Sequence, residues 1–140
     1  MVFQINNTIL NNALKVLNKV VPLRSTLPVL STVLFTSDGE KLSVRATNLE
    51  VSIEFLLEAS VSEPINVAIP ISKIFSITSS LKEENLTIKI DENHRTNIKT
   101  EFGEYNIMGV SPEDFPAKIN ISKSENISFS SEEIKNIIDY

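Results

Sequence analysis

The sequence contains no cysteine, one histidine and only three glycines in 140 residues. Without cysteine there is no disulfide scaffold, no thiolate metal site and no cysteine nucleophile. Three glycines are too few for a glycine-rich phosphate loop, and the single His94 excludes an HExxH zinc site. We therefore expect a protein with no catalytic residues, no metal and no cofactor.

The remaining polar residues do not form a recognisable active site. Adjacent acids such as Glu83 and Glu84 diverge on a helix or strand, and the serines lack a GxSxG motif. Asp91, Glu92 and His94 are residue types that can bind a divalent ion. They fall in a predicted hairpin turn, however, so we expect them to be solvated turn residues and not metal ligands. The sequence thus indicates a binding or scaffolding protein.

Long hydrophobic runs are also absent. The densest apolar groups, residues 33–35 and 55–57, are far too short to span a bilayer. The first residues lack the basic start and apolar core of a secretory signal. We expect a cytoplasmic protein with no membrane association.

Charge is distributed unevenly along the chain, whose net charge is −5. Residues 1–37 contain Lys15, Lys19 and Arg24 and no acid, whereas all eighteen acids lie further on. Such a basic start on an acidic body can form one local positive face, although three cations can equally be an ordinary solvated helix face.

A pattern of strand followed by helix occurs three times. Residues 8–21 place apolar side chains at helical spacing, and Pro22 is expected to end this helix. Moving positions 3, 5, 10, 13 and 14 by 64 or by 124 residues again reaches apolar or β-branched positions. Ser130 and Glu133 have capping-box spacing before the third helix. The chain therefore contains two complete units of about sixty residues and the start of a third.

Alternating patterns predict three strands after each helix. In the first unit these are residues 29–37, 41–47 and 49–58, with a hairpin turn at Asp38-Gly39. The predicted fold class is α+β: two β-α-β-β-β units with pseudo-two-fold symmetry, and antiparallel sheets with two helices on one face.

Four short stretches resemble the N-terminal domain of the bacterial DNA polymerase III beta subunit, the sliding clamp. They are LRSTLPVL at 23–30, ATNLEV at 46–51, PISKIF at 70–75 and SPEDFP at 111–116. The resemblance implies a clamp domain at 1–122 and the truncated first strand and helix of a second clamp domain at 123–140. It also implies a processivity factor, a non-catalytic subunit whose homodimeric ring encircles double-stranded DNA and serves polymerase III subunits and the clamp loader.

A sliding ring should contact phosphates weakly and without reading bases. The resemblance implies that Arg24 contacts DNA. Helix geometry adds polar residues on the outer face of the first helix and at the second helix: Asn11, Asn12, Lys15, Asn18, Lys19, Ser72, Ser76, Ser79 and Lys82.

The resemblance also implies a ring interface that includes Lys73, Arg95 and Tyr105. Other family members carry two arginines just before this aromatic residue, where this sequence has Phe102 and Glu104. That departure indicates a more apolar or differently charged contact. One alternative to the clamp stays open: a non-enzymatic α+β module in which residues 8–21 dock on a partner protein or a membrane surface.

Overall fold

A computed structural model describes residues 1–118 and 127–139 of the chain. Nine strands and three helices follow one another in these residues. The strands are β1 (Val2–Asn6), β2 (Thr32–Ser37), β3 (Leu42–Thr47), β4 (Ser52–Leu57), β5 (Ser60–Val61), β6 (Ile65–Pro70), β7 (Asn85–Ile90), β8 (Arg95–Lys99) and β9 (Glu104–Met108). The helices are α1 (Asn7–Leu17), α2 (Ile71–Ser80) and α3 (Ser131–Ile138).

The strands form two antiparallel sheets in which the repeats exchange their first strands. One sheet has the order β5-β1-β7-β8-β9 and the other the order β4-β3-β2-β6. β1 therefore pairs with the second repeat, and β6, which opens the second repeat, pairs with the first. The predicted α+β class, the antiparallel sheets and the two-fold repeat are confirmed. β5, which pairs with β1, has a shorter counterpart in the second repeat, the antiparallel bridge between Val110 and Ala68 of β6.

One hydrophobic core joins both sheets and the first two helices. Phe3 of one sheet and Phe35 of the other are stacked across it, with ring centroids 6.2 Å apart. Leu10 and Leu14 of α1 and Ile74 of α2 are fully buried in the same core. The two repeats are thus a single packing unit, since neither could bury these residues alone.

The first helix is shorter than the pattern predicts. Its N-terminus is capped by the Asn6 side chain, which accepts hydrogen bonds from the backbone N–H of Thr8 and Ile9. It ends at Leu17, not beside Pro22, because the N–H groups of Lys19 and Val20 bond to carbonyls three residues earlier and tighten the chain into a 3₁₀-type turn. The helix expected over residues 8–21 therefore loses its last turn.

Two strands begin later than expected. Pro28–Ser31 forms a 3₁₀ turn, closed by the Thr32 hydroxyl on the Val29 carbonyl, so β2 starts at Thr32. Before β4, Leu49 has a left-handed backbone with φ of 77°, and the Asn48 side chain accepts from two following N–H groups. Local side-chain bonds to the backbone compete with strand pairing at both places.

The third repeat start is only partly formed. α3 is present with the predicted capping box between Ser130 and Glu133. The strand expected at residues 127–129 is not formed, and Ile127 and Phe129 are exposed. No strand of the described residues pairs with this segment, and a strand needs a partner. The boundary expected at residues 122 and 123 lies outside the described residues, and the second-domain assignment stays a prediction.

Candidate functional site

Helices α1 and α2 lie side by side, held by a polar contact at their interface. The Asn11 side-chain oxygen accepts hydrogen bonds from the Thr78 hydroxyl at 2.9 Å and from the Ser79 hydroxyl at 3.2 Å. Asn11, which was expected to face outward, is half-buried. Its oxygen instead holds the two helices together.

A second asparagine joins the start of α1 to the end of α2. The buried Asn7 amide donates to the carbonyls of Thr78, Leu81 and Lys82, at 3.1, 3.4 and 3.1 Å. These carbonyls lie at the C-terminus of α2, where intrahelical partners run out. Sequence reasoning missed Asn7, since an asparagine between a strand and a helix is indistinguishable from an ordinary cap.

The cations predicted for the first helix are exposed and gathered at its C-terminal end. Lys15 lies in the last turn of α1, Asn18 and Lys19 follow it, and Arg24 lies in the exposed loop beyond. Across residues 1–118 and 127–139, neither lysine nor Arg24 has a carboxylate oxygen within 4.0 Å. Their positive charge is therefore not neutralised by an ion pair with a described acid.

Lys82 has a different environment from the other cations. It follows α2 and lines a groove together with three carboxylates, those of Glu83, Glu84 and Glu101. Their combined charge exceeds that of one lysine, so the local field is negative. The structure thus separates Lys82 from the positive end of α1.

The predicted ring-interface residues lie near one sheet edge but not on one face. Tyr105 is on β9, the edge strand, opposite the buried Ile98, so it points toward the helix layer. Arg95 pairs with Met108 at the other end of β8 and is exposed. Lys73 is exposed on α2. Among the described residues no hydrogen bond or ion pair joins any two of the three.

A buried arginine on β3 that sequence patterning missed holds the segment that follows β9. The Arg45 guanidinium lies 4.9 Å from the Phe115 ring centroid and donates to the Pro116 carbonyl at 2.7 Å. Burial lowers the pKa of Arg45, an effect that the carboxylate of Glu54 opposes. Hydrogen bonds from Lys118 and then Ser43 lower the pKa of Glu54.

The chemistry of the described residues is that of a binding surface. The Asp91 carboxylate accepts from the backbone N–H of Asn93 and Arg95, which confirms a turn at this position. Within the described ranges there is no group of three His, Cys, Asp or Glu placed to hold a metal ion. In the same ranges no helix is long and apolar enough to cross a membrane.

The apolar side of α1 is not available for docking. Leu10, Leu14 and Leu17 are each fully buried against the sheets and α2. The alternative in which residues 8–21 dock on a partner or a membrane is therefore not favoured, because binding through these three leucines would require opening the core and only Ile9 and Val16 of this helix's apolar residues are exposed.

Comparison with known proteins agrees with this geometry. Residues 1–122 match the family described as DNA polymerase III beta subunit, N-terminal domain. The beta sliding clamp of Pseudomonas aeruginosa is 31% identical over 140 aligned positions, covering 98% of this chain and 38% of that protein. The beta sliding clamp of Chlamydia muridarum is 28% identical and covers 98% of this chain and 37% of that protein.

Solved structures share the fold over nearly the whole chain. The crystal structure of DNA polymerase III subunit beta from P. aeruginosa superposes with a TM-score of 0.89 at 30% identity, over 99% of this chain and 38% of that one. The pol III beta structure from Caulobacter crescentus gives 0.91 at 26% identity, over 99% and 38%. The chain spans a little over a third of the length of the relatives that it matches.

The doubled β-α-β-β-β architecture and its helix pair define a domain of the DNA-clamp class. The chain belongs to the DNA polymerase III beta subunit family and corresponds to its N-terminal domain.

Proposed function

We propose that this chain is the first domain of a ring-shaped sliding clamp that encircles double-stranded DNA and tethers the replicative polymerase. The protein would act in the cytoplasm as a non-catalytic processivity factor and a homodimer. Polymerase III subunits and the clamp loader would bind it through the complete protein. The observation that carries the proposal is the helix pair α1–α2, whose exposed side is mainly polar, with Lys15, Lys19 and Arg24 in no ion pair with a described acid.

The electrostatics of this surface suit sliding. Lys15, Lys19 and Arg24 are long exposed side chains that can follow a phosphate backbone without holding one base sequence. Asparagine amide groups at α1 and serine hydroxyl groups on α2 can contact phosphates through water. The other 103 residues hold all of the acids and would repel DNA from the remaining surface.

A topological experiment tests the proposal. The complete gene product, loaded on a nicked circular plasmid by its own clamp loader and ATP, is expected to remain bound through gel filtration. A single double-strand cut in the plasmid should release it, because a ring slides off an end. Equal retention on linear and circular DNA, or no retention on either, would contradict the proposal.

Charge reversal identifies the DNA-facing residues. Lys15→Glu with Arg24→Glu is expected to lower retention on the circle, because two phosphate contacts become repulsive. Lys41→Glu, at an exposed cation in the turn between β2 and β3, is the matched control and should have little effect. For the 140-residue chain alone, about three phosphate contacts limit the slope of log K against log salt to roughly −3. Tight or base-specific binding by this chain would count against a sliding surface.

A further inference from the structure

A cavity of about 420 Å³ lies between the turn that precedes β4 and the segment that follows β9. Its apolar walls are Leu49, Val51, Pro116 and Ala117, and Arg45 lines it from β3. Small-molecule sites have volumes of this order, and they combine apolar walls with a few well-placed polar groups. The cavity therefore has the size and the composition of a ligand site.

Arg45 is a buried cation in this cavity whose hydrogen-bonding capacity is mostly unused. The side chain is 8% exposed and donates one described hydrogen bond, to the Pro116 carbonyl, although a guanidinium has five N–H donors. Glu54 lies opposite Arg45 in the sheet, but Lys118 and Ser43 bind its carboxylate instead. Among the described residues no carboxylate oxygen comes within 4.0 Å of the guanidinium. Because a buried cation without an anion is costly, the site favours a ligand that supplies one.

The rim of the cavity holds an apolar residue in a strained conformation. Leu49 has a φ of 77° and is 58% exposed, although a left-handed backbone is uncommon for residues other than glycine. Hydrogen bonds fix this turn, since the Thr47 hydroxyl accepts from the Leu49 N–H at 3.0 Å and donates to the Val51 carbonyl at 2.9 Å. Strained backbone that the surroundings hold in place is concentrated at functional sites. The turn thus presents a leucine to a ligand beside the buried cation.

We propose that this cavity binds an apolar monocarboxylic acid. The ligand's carboxylate accepts from the N–H groups of Arg45 that do not bind Pro116, and its hydrocarbon part packs against Leu49 and Val51. The exposed Glu50 also lines the cavity and disfavours a second negative charge, which excludes dicarboxylates and phosphates. A free small acid and the C-terminus of a peptide both have this chemistry. The inference does not depend on the ring proposed above.

Calorimetric titration of the complete gene product with three probes tests the ligand class. N-acetyl-Leu-Leu with a free C-terminus is expected to bind with a Kd of about 1 mM or below. It should bind at least 10-fold more tightly than the same peptide with an amidated C-terminus, because the amide lacks the charge-assisted hydrogen bonds. If 4-methylpentanoate binds within about 3-fold of the peptide acid, the source is a small acid, and weaker binding assigns a peptide C-terminus. Equal affinity for acid and amide, or no binding of either acid, would overturn the proposal.

Variants locate the binding within the molecule. Arg45→Gln should weaken binding of the peptide acid at least 10-fold. Because Arg45 also holds the segment that follows β9, two exposed wall positions provide variants that leave the core intact. Val51→Asp should weaken binding at least 10-fold by placing a carboxylate beside that of the ligand. Leu49→Gly, which removes the strain and an apolar wall, should weaken binding at least 3-fold and unfold at the same or a higher temperature.

A residue of the same edge strand is the matched control. Leu56 of β4 is 67% exposed and does not line this cavity, so Leu56→Asp should change the Kd less than about 2-fold. Binding like that of the parent in both Val51→Asp and Leu49→Gly would overturn the assignment to this cavity. An equal loss in Leu56→Asp and Val51→Asp would overturn it too, because the effect would then come from added negative charge anywhere on this edge.

Discussion

Each repeat has a cation opposite a carboxylate in its last hairpin, at different distances from the turn, and the two pairs lie in opposite environments. In the first repeat Arg45 lies opposite Glu54, and in the second Lys99 lies opposite Glu104. Both hairpins turn through four residues closed by the same type of backbone bond, Asn48 N–H to the Val51 carbonyl and Thr100 N–H to the Gly103 carbonyl. Yet Arg45 is 8% exposed and Lys99 lies in solvent.

The difference in burial depends on whether another segment of the chain packs over the pair. Residues 115–118 pass over Arg45 and Glu54 and contribute an aromatic ring, a carbonyl and a lysine to them. Nothing in the described chain crosses Lys99 and Glu104. A cation opposite a carboxylate is therefore a structural anchor in one repeat and an ordinary surface pair in the other, which is worth little in free energy.

The first strands of the repeats should show the largest contrast. Phe3 and Val67 occupy equivalent positions, 64 residues apart, and both are buried. Phe3→Ala should lower the free energy of unfolding by about 3–5 kcal/mol, because it leaves a large cavity against Phe35. Val67→Ala should cost clearly less, since fewer atoms are removed. Denaturant unfolding measures both, and equal losses would show that β1 and β6 do not pack as described.

The paired cations provide the next contrast. Arg45→Ala is expected to cost about 2 kcal/mol, because the Pro116 carbonyl loses a charged donor and the Phe115 ring loses its cover. Lys99→Ala should change the free energy of unfolding by less than about 0.5 kcal/mol. Chemical denaturation of the two variants at neutral pH compares them directly. Similar costs would contradict the difference in burial between the two hairpins.

The connections after the two helices differ in length and should differ in role. Fourteen residues join α1 to β2, whereas four join α2 to β7. Replacing the exposed residues 23–27 with five Gly and Ser residues should lower the free energy of unfolding by less than about 1 kcal/mol, because these side chains lie in solvent and bury little surface. The same change in the complete protein should reduce retention on circular DNA, since Arg24 is removed. A large loss of stability would show that the loop belongs to the core.

The smallest effect concerns pH and is confined to the first repeat. Hydrogen bonds from Lys118 and Ser43 hold the pKa of Glu54 below its ordinary value near 4.5. Because the pKa of Glu54 is lower in the folded than in the unfolded state, its ionised carboxylate contributes fully to the free energy of unfolding above the unfolded-state pKa. This contribution is lost as the pH falls through the folded-state pKa. The stability advantage over Glu54→Gln should therefore be constant from pH 7 to about pH 5.5 and shrink below about pH 4. An advantage that persists at pH 2 would exclude the ionised carboxylate as its source.

Much of the local structure was predictable because it depends on near neighbours. The helical spacing of Leu10, Leu14 and Leu17 predicted both α1 and its buried side, and Asp38-Gly39 predicted the first hairpin. The capping box of α3 was read from Ser130 and Glu133 alone. The errors at the end of α1 and the start of β4 arose where a few backbone bonds, not the apolar period, decided the boundary.

The sequence by itself determined the elements, their repetition and the side of α1 that carries the cations, because periodicity and charge are local properties of a chain. Only the tertiary structure decided that β1 joins the second repeat and β6 the first, since antiparallel partners far apart in sequence leave no local trace of their choice. It also decided that Arg45 is enclosed while Phe102 is left in solvent. The burial of a side chain depends on which other segments pack over it, and the whole fold decides which segments these are.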